Sequence, residues 1–247
     1  MHSPLVDYHC HLDLYPNYKE VFADCRDQKI ATLAVTTTPR AWEHNLILAG
    51  QDSCIRVGLG LHPQVVSERY REIQMFEQLL PKSRFVGEVG LDASPQHYAS
   101  FQLQKDLFER ILQMCAEQKN KILSIHAVRA TREVLTLLEK HLLPNKGKAV
   151  LHWFSGTVAE AQRAAKLGCY FSINGEMLSK ESRQNVVSSL PLTRILTETD
   201  GPFTKIDDQV TRPSSVSHTV SRLSRLIKMD EAILRELIAT NLRQLES

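Results

Sequence analysis

No stretch of the 247 residues comes near the about 18 uninterrupted apolar positions of a membrane-crossing helix, so no transmembrane segment is expected. Cysteine is scarce and scattered. Cys10, Cys25, Cys54, Cys115 and Cys169 form an odd set with no C-x-x-C pair, which argues against a disulfide framework and for a reducing compartment. The N-terminus lacks a basic segment followed by an apolar run, so no secretory signal is expected and the cytoplasm is the default location. Charge of one sign is not in excess either: 30 Lys and Arg stand against 28 Asp and Glu, a net charge of +2. A protein that coats nucleic acid without specificity is usually more basic, so any such contact must be local. There is no low-complexity tract and no repeat by identity. The pattern G-x-G-x-x-G is absent after the first apolar run, which weakens a dinucleotide-binding reading.

What the chain does contain is a rhythm. Eight short runs rich in β-branched and apolar residues recur: Leu5–His11, Ala31–Thr37, Ile55–His62, Arg84–Asp92, Lys121–Ala127, Lys148–Phe154, Cys169–Gly175 and Ile195–Gly201. Longer stretches with helical spacing separate them. Tyr98–Gln118 is the clearest, with Phe101, Leu107, Phe108, Ile111, Leu112 and Cys115 along one stripe. Thr131–His141, Ser179–Leu190, Ser215–Ile227 and Glu231–Leu245 read similarly. Val158–Leu167 follows Thr157, a good N-cap, and stops before Gly168. Short apolar strands alternating with helices predict parallel β-α units. Eight units need roughly 250 residues, so an α/β fold of (β/α)8 TIM type, regular or distorted, fills residues 1–247 as one domain. An open doubly wound sheet also accommodates eight strands.

The informative residues fall at the C-terminal ends of these runs. The first ends in Asp7-Tyr8-His9-Cys10-His11. Side chains alternate along a strand, so Asp7, His9 and His11 share a face and two imidazoles can converge on one ion. The fourth run places Glu88 in an apolar setting. The fifth and sixth deliver His126 and His152, and the eighth ends in Asp200. In a parallel barrel those ends open onto one mouth, where active sites sit. Burying so many titratable groups together without compensating charge would cost several kcal/mol, and divalent cations would provide it. Imidazole with carboxylate suits zinc, manganese, iron or, with more oxygen, magnesium. Asp7 and Glu198 either orient these ligands or make buried strand-to-strand contacts. His62, in Gly58-Leu59-Gly60-Leu61-His62-Pro63, either touches substrate at the mouth or shapes a turn.

At this point the chain resembles the TatD-like metal-dependent hydrolases, within the amidohydrolase-type barrels. The segments that carry the resemblance are Asp7-Tyr8-His9-Cys10-His11-Leu12-Asp13, Gly58-Leu59-Gly60-Leu61-His62-Pro63, Val86-Gly87-Glu88-Val89-Gly90-Leu91-Asp92, Ile125-His126, Leu151-His152-Trp153-Phe154-Ser155-Gly156 and Thr197-Glu198-Thr199-Asp200-Gly201-Pro202. They span nearly the whole chain in the family's order. The resemblance implies two divalent ions (Mg, Mn or Zn). His9, His11 and Asp200 would hold one, His126 and His152 the other, and Glu88 would bridge both. It also implies a nuclease acting on DNA, often from the 3′ end, with Asp200 and Glu88 as catalytic groups. Shorter segments, such as Val35-Thr36-Thr37-Thr38-Pro39-Arg40-Ala41-Trp42 and His152-Trp153-Phe154-Ser155-Gly156-Thr157, resemble the TatD-like component (QatD) of Qat anti-phage systems. That implies partner proteins of a defence operon.

There are departures. Tyr8 stands where many members have a small residue, and Gly201 where many have serine. The basic residue after the fifth-run histidine appears as Arg129, with Arg132 a turn later. Arg129 is either a phosphate contact or an exposed helix charge, and Arg212 is a second candidate for the mouth. Tyr15, Tyr18 and Phe154 either stack on bases or pack ordinarily.

Two metals can clamp the attacking and leaving oxygens of an in-line displacement and bring a water's pKa toward about 7. Asp200 is then the candidate general base. A metal-dependent ester or amide hydrolase, for example an aminoacyl-tRNA deacylase, would use the same site. A non-catalytic subunit of a defence complex would keep the barrel without turnover.

Overall fold

In the computed structural model the described residues are 3–51 and 54–247, so Met1 and His2, part of the N-terminal stretch read above, lie outside them. Eight strands run parallel: β1 (Val6–Cys10), β2 (Ala31–Val35), β3 (Ile55–Gly58), β4 (Phe85–Asp92), β5 (Lys121–Val128), β6 (Gly147–His152), β7 (Tyr170–Ile173) and β8 (Ile195–Thr197). Helices alternate with them: α1 (Tyr18–Asp27), α2 (Trp42–Ala49), α3 (Val66–Arg69), α4 (Ile73–Leu79), α5 (Phe101–Gln118), α6 (Thr131–His141), α7 (Val158–Lys166), α8 (Glu181–Ser188), α9 (Val216–Ile227) and α10 (Glu231–Glu246). A small antiparallel hairpin, β9 (Lys205–Ile206) with β10 (Gln209–Val210), follows β8.

The strands are buried on both faces, which is why they read as near-continuous apolar runs and not as alternations. Regular ladders join β1-β2-β3 and β4-β5-β6-β7-β8. Two irregular seams close the ring. At one, the Leu59 N–H donates to the Phe85 carbonyl (3.0 Å) and the Gly87 N–H to the Leu59 carbonyl (2.9 Å). At the other, the Asp200 N–H donates to the His9 carbonyl (2.9 Å) and the His11 N–H to the Gly201 carbonyl (2.8 Å). The fold is therefore a distorted (β/α)8 barrel, as expected.

Local sequence explains several boundaries. Helix α5 buries Leu107, Phe108, Ile111, Leu112 and Cys115, the stripe visible in the sequence. Helix α7 starts with a capping box: the Glu160 N–H donates to Thr157 Oγ1 (3.2 Å), and the Thr157 N–H donates to Glu160 Oε2 (2.8 Å). Six strands stop short of the C-terminal ends of the runs that announced them, and three of these matter for the site. They stop at Cys10, Gly58 and Thr197, so His11, His62 and Asp200 stand on loops just past the strands. Asp200 itself has a left-handed backbone (φ 53°), outside the extended region.

Candidate metal centre

Glu88 lies at the middle of the barrel mouth, and its two oxygens face different neighbours. Oε2 is 3.2 Å from His9 Nε2 and 3.0 Å from His11 Nε2. Oε1 is 2.6 Å from His126 Nδ1, 2.8 Å from His152 Nε2 and 3.2 Å from His62 Nε2. Asp200 Oδ1 sits on the Oε2 side, 3.6 Å from His9 Nε2 and 3.7 Å from His11 Nε2. The six residues expected as ligands thus converge around one carboxylate. All six are buried.

Close packing of backbone makes this possible. A Cβ on Gly60 would meet the Thr36 carbonyl oxygen at 1.7 Å and the Glu88 nitrogen at 2.7 Å, so only glycine lets the loop after β3 lie against Glu88. Gly90 has φ 141°, and a Cβ there would meet the His126 carbonyl oxygen at 2.1 Å. Trp153 (φ 40°), Arg129 (φ 52°) and Asp200 (φ 53°) all have left-handed backbones immediately at or after strand ends. Such strain gathers where side chains must be aimed.

A further layer of hydrogen bonds orients the imidazoles. His9 Nδ1 pairs with Ser124 Oγ at 2.7 Å, which leaves Nε2 toward Glu88. Asp92 Oδ2 lies 3.2 Å from His126 Nε2 and also accepts from Gln64 Nε2 at 2.8 Å, while its Oδ1 accepts from the Ser94 N–H at 2.8 Å. An ionised carboxylate only accepts, so Asp92 fixes a proton on His126 Nε2, and Nδ1 is the nitrogen that would face a bound cation. Glu198 stands 3.7 Å from His152 Nδ1 and is held by Ser172, by Asn174 Nδ2 (2.9 Å) and by the Trp153 N–H (3.0 Å). Asp7 does not orient His9. It accepts from the Thr199 N–H (2.8 Å) and Oγ1 (2.6 Å), so it is a strand-to-strand contact across the β1–β8 seam.

His62 differs from the other imidazoles. The Gln64 N–H donates to its Nδ1 at 3.2 Å. A neutral ring whose Nδ1 accepts carries its proton on Nε2, so His62 offers Glu88 Oε1 a donor and not a lone pair. Distance alone would admit a His62, Glu88, His126 ligand set beside the His9, His11, Glu88 set. The tautomer favours reading His62 as a donor.

Electrostatics fit cations. His9 Nε2 is buried, with no hydrogen-bond partner among the described residues, and points into the cluster. Burial pushes the His9 imidazole well below its ordinary range, reinforced by the neighbouring His152. Burial alone would raise Glu88, yet His62, His152 and His9 hold it well below the usual carboxylate range. Burial pushes Asp200 up to about 7, against the pull of His152 and His11. Burial would lower His11 and His126, but Glu88 beside the first and Asp92 with Glu88 beside the second leave both raised. A deprotonated carboxylate surrounded by imidazole nitrogens, one without a hydrogen bond, is the donor set of a divalent cation site.

The cluster opens into a cavity of about 860 Å³. Arg129, exposed, lines it just before α6, as do Trp153 and Phe203. Arg212 is not among the lining residues; its guanidinium pairs with Asp24 Oδ2 at 2.7 Å on α1. The three aromatic residues weighed as base platforms pack instead. Tyr15 is buried and its hydroxyl donates to the Thr211 carbonyl (2.6 Å), Phe154 is buried edge-to-face on Phe171, and Tyr18 sits on α1 beside His44. Sequence reasoning missed Ser124, Gln64 and the orienting role of Asp92. It also missed Phe203, although that residue directly follows the Asp200-Gly201-Pro202 segment.

A family model described as TatD related DNase matches residues 6–247. The deoxyribonuclease Tat-D of Schizosaccharomyces pombe is 32% identical over 191 residues, 71% of this chain, and the chain spans 59% of that relative's length. Human deoxyribonuclease TATDN3 is 28% identical over 252 residues, covering 93% of this chain and 90% of that protein. The crystal structure of YjjV, a TatD homologue from Escherichia coli, superposes with a TM-score of 0.87 at 24% identity over 98% of this chain and 97% of its own, a likeness of fold. The chain belongs to the TatD related DNase family of metal-dependent hydrolases.

Proposed function

We propose that this protein hydrolyses phosphodiester bonds of DNA with two divalent cations, Mg, Mn or Zn. The observation that carries the reading is the division of Glu88, one oxygen toward His9 and His11 and the other toward His126 and His152. In this reading His9, His11 and Asp200 would hold one cation, His126 and His152 the second, and Glu88 would serve both. Such a pair, when bound, supplies Lewis-acid polarisation of a phosphoryl oxygen and an acidified water near neutral pH. Asp200, whose Oδ1 faces the His9 and His11 side of the centre, would accept the proton of the attacking water. Glu88 holds the two halves of the site in register. His62, through its Nε2–H, braces Glu88 or a substrate oxygen. Arg129, exposed at the rim, meets a backbone phosphate.

Finer readings belong to the same proposal. The enzyme is a 3′–5′ exonuclease on single strands or free ends, working as one barrel domain in the cytoplasm, and serves anti-phage defence beside other proteins of a Qat-type operon. A strand glutamate at the shared position, where several related hydrolases use a carboxylated lysine, supports the nuclease over an ester or amide hydrolase. The test is incubation of metal-loaded protein and Asp200→Ala with end-labelled single- and double-stranded DNA, with a chelator arm. Cleavage lost in both the variant and the chelator supports the reading. Cleavage that persists unchanged in excess chelator overturns it.

A further inference from the structure

Large aromatic side chains in this barrel are mostly buried, but Phe203 is 60% exposed. It lines the cavity, and its ring meets the His11 ring edge-on with centroids 5.1 Å apart. An exposed phenyl ring beside a cluster of polar and charged groups has a face with nothing to cover it. The backbone beneath it is firmly held. The Phe203 N–H donates to the Asp200 carbonyl (2.9 Å), Thr204 Oγ1 donates to the Thr199 carbonyl (2.5 Å), and the Thr211 N–H donates to the Thr204 carbonyl (3.0 Å). Tyr15 ties Thr211 down in turn. Phe203 is therefore an apolar plate on a firmly hydrogen-bonded backbone, separated from Asp200 by Gly201 and Pro202.

We propose that Phe203 is a stacking platform for a nucleobase adjoining the scissile phosphate, on the His11 side of the centre. This rests on the nuclease reading above. Base stacking on an aromatic ring tolerates any of the four bases, because each has a π-face. A platform of this kind supplies grip at the reacting end without a strongly basic surface, consistent with a net charge of only +2. It engages an unpaired base, so it favours single strands and frayed ends over intact duplex.

The test compares wild type, Phe203→Ala and Phe203→Trp on a short single-stranded DNA, intact or carrying an abasic site at each nucleotide flanking the cut in turn. Loss of stacking weakens ground and transition states alike, so it raises KM with kcat nearly unchanged. The expected result is a rise of about tenfold in KM for Phe203→Ala on intact DNA, the order of one lost base stack, with recovery in Phe203→Trp. At one flanking position the abasic site should cost wild type a similar factor and cost Phe203→Ala nothing more. A 2-aminopurine at that position should be quenched on binding wild type and not on binding Phe203→Ala. If Phe203→Ala leaves KM unchanged, or abasic and alanine penalties simply multiply at both positions, the platform is overturned while the nuclease reading stands. If the wild type cuts no DNA at all, both fall.

Discussion

Asp92 and His126 face each other across the β4–β5 ladder, Asp92 Oδ2 at 3.2 Å from His126 Nε2, and this contact turns the other ring nitrogen, Nδ1, onto Glu88 at 2.6 Å. Burial would raise the Asp92 carboxyl, but hydrogen bonds from His126, Ser94 and Gln64 hold it well below the usual carboxylate range, so it stays ionised. Partners of this kind typically change metal affinity 10- to 100-fold. Asp92→Ala is expected to weaken binding of the cation at His126 and His152 by roughly that factor with the fold intact. Competition against a chelator, with circular dichroism as the folding control, measures it. Undiminished affinity would refute the orienting role.

The Gln64 N–H fixes the His62 proton on Nε2, the nitrogen that faces Glu88, whereas Asp92 fixes a His126 proton on the nitrogen that faces away from it. Both His62→Ala and His62→Gln should therefore keep the wild-type cation stoichiometry. The alanine variant should lose about 10-fold or more in kcat/KM, on the order of one hydrogen bond to a charged group. Glutamine, whose amide can donate from a similar reach, should recover part of it. Metal analysis of the purified variants decides the point, since the loss of one equivalent in either would make His62 a ligand.

Gly60 leaves no room for a side chain between Thr36 and Glu88. A methyl group there must push backbone, not a flexible side chain. Gly60→Ala is expected to destabilise the protein by about 3 kcal/mol and to disturb Glu88 at the same time. Urea unfolding reads the first effect and cation affinity the second. A variant as stable as wild type with normal affinity would contradict the packing argument.

Asp7 sits fully buried against Thr199, and burial pushes its carboxyl up to about 8 from an ordinary 3.8. The folded state then binds one more proton than the unfolded chain between those two values. Stability from this group is present at low pH and falls as pH rises through that window. Asp7→Asn, a mimic of the neutral acid that keeps an acceptor for the Thr199 N–H, should remove this slope. In chelator-treated protein, wild type should lose stability relative to Asp7→Asn between pH 5 and pH 8. Parallel curves for the two would exclude the shift.

Much of this protein was legible before any fold was known. Eight apolar runs with intervening helical stretches indicated the barrel, because parallel strands buried on both faces have a simple signature. His9, His11, Glu88, His126, His152 and Asp200 stood out because ionisable residues at the ends of buried strands are costly and therefore meaningful. Strand alternation does not place every site residue. His11 and Asp200 lie past the ends of β1 and β8, and a left-handed turn places Asp200, not the period of two. Asp7 was paired with His9 by the same alternation, yet it turns to Thr199. Arg212, a candidate for the mouth from its place in the sequence, is engaged with Asp24 from the distant helix α1.

By itself, the order of residues determined which segments become strands, which chemistry sits at their ends and that the site takes metal-type donors, since these follow from local polarity and spacing. Only the tertiary structure decided how the donors divide between the two oxygens of Glu88, which nitrogen each imidazole presents, and that Phe203 and not Tyr15 or Phe154 borders the cavity. Those outcomes depend on contacts between residues far apart in the chain, such as Asp92 with His126 or Ser124 with His9, and no local pattern encodes a distance across a closed barrel.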